Sequence, residues 1–234
     1  MFKRCRLIAL MVCAYVFSCG IVGTAFAAGE LTVYAKQLIL DGSLNMAFYV
    51  NVTKTEAEDT NTTKTATFKV GSEEGIEGKF DSTLTGYIGD DNKFVEGSVP
   101  SGETRTTLYA FLVELTSVQM NDPIIGTIIV GSKTGTVTSY TVQEYLNTLT
   151  NDATTYSKEQ GLAKALKDYG HYALTTLNET NTDCKNAGHQ DITAANSSLT
   201  DNAKNAVADY GITKDEALKN LGFTLDLMSK RVLS

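Results

Sequence analysis

The chain is predicted to be mainly β with an α appendage: an antiparallel β-sandwich over residues 28–140, followed by a helical hairpin over 141–177 that packs on it. Three observations carry this. Apolar residues recur at every second position in short runs between Leu31 and Tyr140, which is the period of a strand with one buried face. From Thr141 the period becomes helical. Hydrophobic residues make up 42% of the chain against 20% charged ones, enough for a packed core.

Residues 1–27 read as a secretory signal rather than as part of the fold. Lys3, Arg4 and Arg6 precede an apolar run from Leu7 to Val22, and Ala25-Phe26-Ala27 has the A-x-A form of a cleavage site. The run is short for a membrane span, which needs about 20 residues. Val16-Phe17-Ser18-Cys19 is an alternative, resembling a lipobox with a poorly fitting Phe17. Of the four cysteines, Cys5, Cys13 and Cys19 lie in the signal, so the mature chain keeps only Cys184 and is expected to be held by its core without disulfides.

Leu44, Met46, Phe48, Val50 and Val52 alternate onto one face of a strand, with Asp41-Gly42 before them as a hairpin turn. Tyr109, Phe111, Val113 and Leu115 form a second such face. Ile124-Ile125 and Ile128-Ile129-Val130 flank Gly126-Thr127 and read as a strand buried on both sides or a bulged one. Thr134 to Tyr140 alternates Thr and Ser with other residues. Phe68–Val70, Phe80–Tyr87 and Phe94–Val95 fill the middle more weakly, and Thr53 to Lys64 reads as a solvated loop. Thr141-Val-Gln-Glu144 is a capping box, opening a helix with the stripe Val142, Tyr145, Leu146, Leu149. Ser157-Lys-Glu-Gln160 reads as a second box, ahead of a longer stripe of Leu162, Ala163, Leu166, Tyr169, Ala173 and Leu177. Gly170 interrupts it, with close packing against a neighbouring backbone as the expected reason. Residues 178–222 read as a polar linker with short helices. Residues 223–234, beginning Phe223-Thr-Leu225-Asp-Leu227, repeat the shape of Leu38-Ile-Leu-Asp41. They read as the start of a possible truncated second β-unit, or as a strand completing the first.

Three stretches, Leu40-Asp-Gly-Ser-Leu-Asn-Met-Ala-Phe-Tyr-Val50, Tyr140-Thr-Val-Gln-Glu-Tyr-Leu146 and Leu162-Ala-Lys-Ala-Leu-Lys-Asp-Tyr-Gly-His-Tyr-Ala173, resemble exported, uncharacterised surface proteins of anaerobic gut and rumen Firmicutes. In those proteins a β-domain is followed by Y-x-V-x-x-Y and A-L-x-x-Y-G-x-Y-A helices. The resemblance runs from about Leu38 to Leu177 and departs from the pattern at Leu44, Asn45, Met46 and Ala47. It implies an extracellular, wall-associated or adhesive module and no reaction.

Twenty Lys and Arg face 27 Asp and Glu, a formal charge of −7. Removing the three bases of residues 1–27 leaves 17 against 27, a balance of −10, which opposes a nucleic-acid partner. None of the common hydrolase, metalloprotease, phosphate-loop or dinucleotide motifs occurs. His171 reads as a half-packed helix residue. Cys184, Asp183, His189 and Asp191 can be drawn as a metal set but lie in a polar loop with no second cluster. Asp90-Asp91-Asn92 with Glu96 carries oxygen ligands without Ca²⁺-loop spacing, and Glu73-Glu74 reads as a charged turn. Tyr140, Tyr145, Tyr156, Tyr169 and Tyr172 could stack on sugars, but their spacing fits packing better. No catalytic, cofactor-binding or metal-ligating residue is assigned. The expected function is an exported, non-enzymatic cell-surface or adhesion module. Its partner would be a cell-wall, host or dietary glycan, or a protein, and membrane contact would occur only through the signal. The alternatives are a carbohydrate-binding accessory module, marked by exposed aromatics, and a secreted hydrolase.

Overall fold

The computed structural model describes residues 30–40, 43–152, 154, 156–157 and 159–196, without the side chains of 179 and 180. The signal, the Asp41-Gly42 turn and residues 197–234, including the segment read as a second β-unit, lie outside the described residues. Eight strands alternate with short connections: β1 (Val33–Leu40), β2 (Leu44–Asn51), β3 (Lys64–Val70), β4 (Glu73–Ile88), β5 (Phe94–Glu96), β6 (Leu108–Leu115), β7 (Ile124–Val130) and β8 (Lys133–Tyr140). All pairings are antiparallel, in the order β1-β2-β6-β4-β3-β7-β8, with β5 added beside β4. The mainly antiparallel β expectation holds. The strands follow one hydrogen-bonded path in a curled sheet.

The curl is made by β4. Its first half pairs with β3 through Glu73–Gly78, and its second half pairs with β6 from Lys79 and with β5 at Gly86–Ile88. The register against β6 shifts between Asp81 and Thr85, an irregularity that bends and twists a strand. The curl returns the first described residues to the far edge, where Leu31 N donates to Thr134 O at 3.1 Å and Glu30 bridges Thr134 in parallel.

The alternating runs face inward as their period dictates. Met46, Phe48, Val50 and Val52 meet Tyr109, Phe111, Val113 and Leu115 in the main core, with Leu44 partly buried beside them. The reverse face of β2 is buried too: Ala47 and Tyr49 pack with Ala35, Phe94, Leu108 and Ala110 in a second cluster. On β7, Ile124, Ile128 and Val130 point inward, while Ile125 and Ile129 are 41% and 37% exposed. The bulged reading of this strand is therefore the correct one, and the register with β8 shifts between Ile124 and Gly126.

Phe68 occupies the centre of the core. A Cβ at Gly78 would sit 2.4 Å from Phe68 Cε2, and one at Gly126 would sit 2.4 Å from Phe68 Cδ1 and 2.8 Å from Thr67 O. The ring thus lies over two glycines on the flanking strands, and it stacks on Phe48 at 5.5 Å.

The stretch read as a solvated loop contains a helix, α1 (Lys54–Glu58). Thr53 and Glu56 form its capping box: Glu56 N donates to Thr53 Oγ1 at 3.2 Å and Thr53 N to Glu56 Oε2 at 3.1 Å. Lys64 Nζ closes the other end on the carbonyls of Glu56, Asp59 and Thr62. Lys133 Nζ ties Glu56 to β8 at 2.8 Å.

The helix α2 (Val142–Asn151) starts at the expected box, and Val142, Tyr145, Leu146 and Leu149 are all buried. The helix α3 (Gln160–Thr180) carries the longer stripe, with no side-chain cap at its start. The Ser157–Gln160 box does not form. Gln160 Nε2 instead donates to the Leu149 and Thr150 carbonyls at 2.9 and 3.1 Å, satisfying acceptors that the last turn of α2 cannot. Lys167 Nζ to Asn147 Oδ1, at 2.9 Å, continues the contact, so the two helices run antiparallel. At Gly170 the close neighbours are side chains rather than a backbone: a Cβ would meet Met120 Sδ at 2.7 Å and Ile192 Cγ2 at 2.9 Å. Residues 178–196 do not form an open linker. A short helix α4 (Thr182–Ala187), capped by Asn181, is followed by an extended strap, 189–196, that is fastened to the body. No helix among the described residues is long and apolar enough to cross a membrane.

Two outcomes are expected. Gly126→Ala should lower stability by about 1–3 kcal/mol in urea denaturation, because neither the Phe68 ring nor the Thr67 carbonyl can retreat. Glu56 is buried enough to raise its pKa, but hydrogen bonds from Lys133 and Thr53 outweigh this and hold it below the ordinary 4.5. A depressed carboxyl contributes its stability above the unfolded value and loses it as pH falls. The protection of the 54–58 amides, taken against the intrinsic exchange rate at each pH, should therefore fall below about pH 4.5 before the sheet opens, and Glu56→Gln should remove that dependence.

Candidate functional site

The polar residues read from the sequence as possible chemistry gather in one place, around the strap. Asp122, in the segment between β6 and β7, has its side chain only 2% exposed. A buried carboxylate is costly unless hydrogen-bonded. Here Asp122 Oδ2 lies 2.6 Å from His189 Nδ1, and Oδ1 accepts from Gln190 N at 2.8 Å. Gly71, at the β3–β4 turn, is pressed against the same carboxylate, where a Cβ would fall 2.7 Å from Oδ2. One step along the strap, Asp191 lies 2.8 Å from His171 Nδ1 on α3, and its carbonyl accepts from Asn121 Nδ2 at 2.7 Å. Ile192 is buried against the core, and Asp168 Oδ1 takes the amides of Ala195 and Asn196 at 2.7 and 2.8 Å. Thr193 N donates to Gln143 Oε1. Buried Gln119 accepts from Thr116 and donates to Glu73 Oε2 at 2.9 Å.

Both histidines are thus joined to aspartates through Nδ1, the orientation of the base in a Ser-His-Asp site. The hydroxyl of Ser72, at the edge of the cluster, donates to Ala187 O at 3.3 Å. What the arrangement visibly does is fasten the strap to α3, the 116–123 segment and the sheet. The imagined metal set does not assemble. Cys184 packs with Val118, Leu174 and Leu177, while His189 and Asp191 belong to different pairs. Among the described residues no three His, Cys, Asp or Glu side chains could hold a metal ion.

The other candidates are placed as follows. Gly89–Lys93 is a tight turn with Asn92 at φ 59°. Asp90 pairs with Arg105 at 2.6 Å and Asp91 with Lys93 at 3.7 Å, so cations of the chain itself meet those carboxylates. Glu96 accepts from Gln37 Nε2 at 3.2 Å. Glu73 and Glu74 open β4 rather than occupying a turn, and Glu74 pairs with Lys69 at 2.5 Å. Tyr145, Tyr156 and Tyr172 are buried, with Tyr140 and Tyr169 half-buried. Burial, followed by the negative charge of Glu144, pushes the Tyr140 hydroxyl well above the ordinary range. Lys36 Nζ lies 3.8 Å above that ring, and burial lowers its pKa against the opposing pull of Glu144. No aromatic side chain among the described residues is exposed.

One surface stands apart. On the outer face of β3, β7 and β8, Thr67 lies directly opposite Thr127, and Thr127 opposite Thr136. The adjacent row is Thr65, Ile129 and Thr134, and all six side chains are exposed. Ile125 lies beyond, opposite Lys69. Ile125 and Ile129 are the exposed large hydrophobic residues among those described. The Thr alternation is visible in the sequence, but the alignment of the rows depends on register.

No protein family, curated protein or solved structure matches the chain. The geometry therefore has to carry the functional reading.

Asp122→Ala, which strands His189 and the Gln190 amide, should cost about 2–4 kcal/mol and open the amides of 189–193 to exchange. Asp191→Ala, which removes a half-exposed carboxylate from His171, should cost less than about 1 kcal/mol.

Proposed function

We propose that the chain is an exported, non-enzymatic binding module that works at or outside the cell surface. The observation that carries this is a contrast. The histidines, the carboxylate clusters and the aromatics are engaged within the fold, whereas the Thr and Ile face of β3, β7 and β8 presents ordered groups to solvent. The basic, apolar and A-x-A sequence of residues 1–27 supports export, and the acidic mature chain supports a partner other than nucleic acid. The resemblance to Firmicutes surface proteins agrees. In this reading the two limbs of the curled sheet act as a sandwich-like scaffold, stiffened by the α2–α3 hairpin, that displays one face.

The absence of an exposed aromatic among the described residues weakens a sugar-binding mode based on ring stacking, without touching one based on hydrogen bonds. The hydrolase reading is weaker still, because the Asp–His pairs secure the strap.

Expressed from its own first residue in a Gram-positive host, the chain should be recovered outside the membrane with Ala28 as its N-terminus, read by intact mass. Ala27→Phe together with Ala25→Phe should hold the uncleaved precursor in the membrane fraction. Accumulation of uncleaved wild-type chain in the cytoplasm would overturn the export reading.

A further inference from the structure

We propose that the Thr and Ile face of β3, β7 and β8 is a binding site for an extended strand of neutral, β-linked polysaccharide. This names the partner of the surface module proposed above and rests on that reading. The register supplies the argument. Thr67, Thr127 and Thr136 are mutually opposite on three adjacent strands, so their side chains repeat at the strand separation, about 4.8 Å. That repeat is close to the length of one pyranose unit in an extended β-linked chain. A threonine hydroxyl both donates and accepts, as sugar hydroxyls do. Its methyl group, with Ile129 and Ile125 in the neighbouring positions, offers apolar contact to the C–H faces of the rings.

Charge selects among possible occupants. The six residues of the two rows carry no ionisable group in a chain of net charge −7. Glu77 continues the Thr67 row onto β4, exposed Lys79 follows two residues along the same strand face, and Lys69 is already paired with Glu74. Nothing in the rows would compensate the carboxylates of an anionic glycan. The two rows alone are too small to make a stable interface with a second copy. Three strands and three alternate positions on β7 span roughly 10 by 14 Å, far below the about 800 Å² per partner of a standard protein interface. A single glycan chain laid across the strands fits such a patch.

The test uses the exported chain and four insoluble or gel-embedded probes: cellulose, mixed-linkage β-glucan, chitin and polygalacturonate. Depletion from solution and retardation in affinity gels are measured for wild type, for Thr127→Lys, and for the triple variant Thr67→Val, Thr127→Val and Thr136→Val. Thermal unfolding of each variant is measured alongside, and the exposed positions should leave it nearly unchanged. Retention on at least one neutral β-glycan is expected, with a tenfold or greater loss for Thr127→Lys and a several-fold loss for the triple variant. Retention that ignores both variants, preference for polygalacturonate, or no retention on any neutral β-glycan would overturn the proposal. Binding of the chain to whole cells that survives Thr127→Lys would also overturn it while leaving the surface-module reading intact. Failure of export would strike that reading alone.

Discussion

The fold depends on one ring. Phe68 sits where the sheet must curl, and glycines on both neighbouring strands leave it the room that a Cβ at either would remove. Its stacking partner, Phe48, comes from β2, three steps away along the strand order. The Phe48–Phe68 contact therefore joins two limbs of the sheet that hydrogen bonding alone connects only through β6 and β4. Aromatic pairs contribute about 0.5–1.5 kcal/mol beyond the area they bury, but position matters more here than strength. The same device recurs on the reverse face, where Gly86 makes room for Phe94 above Tyr49. Two flat rings over glycine thus set the curvature for the main core and for its smaller neighbour.

Once the sheet is curled, its main core still needs a cover, and the helices supply it. The stripe of α2 enters that core, α3 lies against α2, and the strap crosses behind them. Asp122 is the hinge of this second layer. A buried carboxylate would be a strong penalty if left alone, and removing a single partner from such a group usually costs more than the pair contributes. The donors that satisfy it come from the strap, so ordering residues 189–192 and burying Asp122 require each other. Gly170 shows the same mutual dependence, since Met120 and Ile192 approach α3 only because no Cβ stands there.

What could be read from the sequence was whatever has a local period or a local cap. The alternation of Met46, Phe48 and Val50, and of Tyr109, Phe111 and Val113, fixes faces within a few residues. Thr141 and Glu144 make a cap that needs no distant partner. The helix at Lys54 carries the same signature in Thr53 and Glu56, but no apolar stripe follows it. It is stabilised instead by Lys64 and Lys133, contacts that only the folded chain creates. The Ser157 box failed for the opposite reason, because the end of α2 competes for Gln160. The strap has no period, since its side chains and backbone are held in turn by side chains from three different segments, 116–123, α2 and α3. The Thr rows lie between these cases. Each strand shows its own alternation, but alignment across strands is a property of register, which turns and bulges decide.

That distinction bears on where function can reside. Groups that usually announce chemistry, such as histidine beside aspartate or paired acids, are here part of the internal accounting of charge and hydrogen bonds. In the proposed reading, the part of the described chain that meets a partner is a surface rather than these groups. On the described face of β3, β7 and β8, threonine recurs across the strands at Thr67, Thr127 and Thr136 and along β3 and β8 at Thr65 and Thr134. Threonine accounts for strand propensity on such a face, but propensity alone is indifferent to register. It would be equally satisfied by rows in which threonine and valine alternated across the sheet. Opposed threonines stabilise a sheet by roughly 0.2–1 kcal/mol per pair, so the alignment of Thr67, Thr127 and Thr136 already has a structural use. A partner that reads spacing would give it a second one.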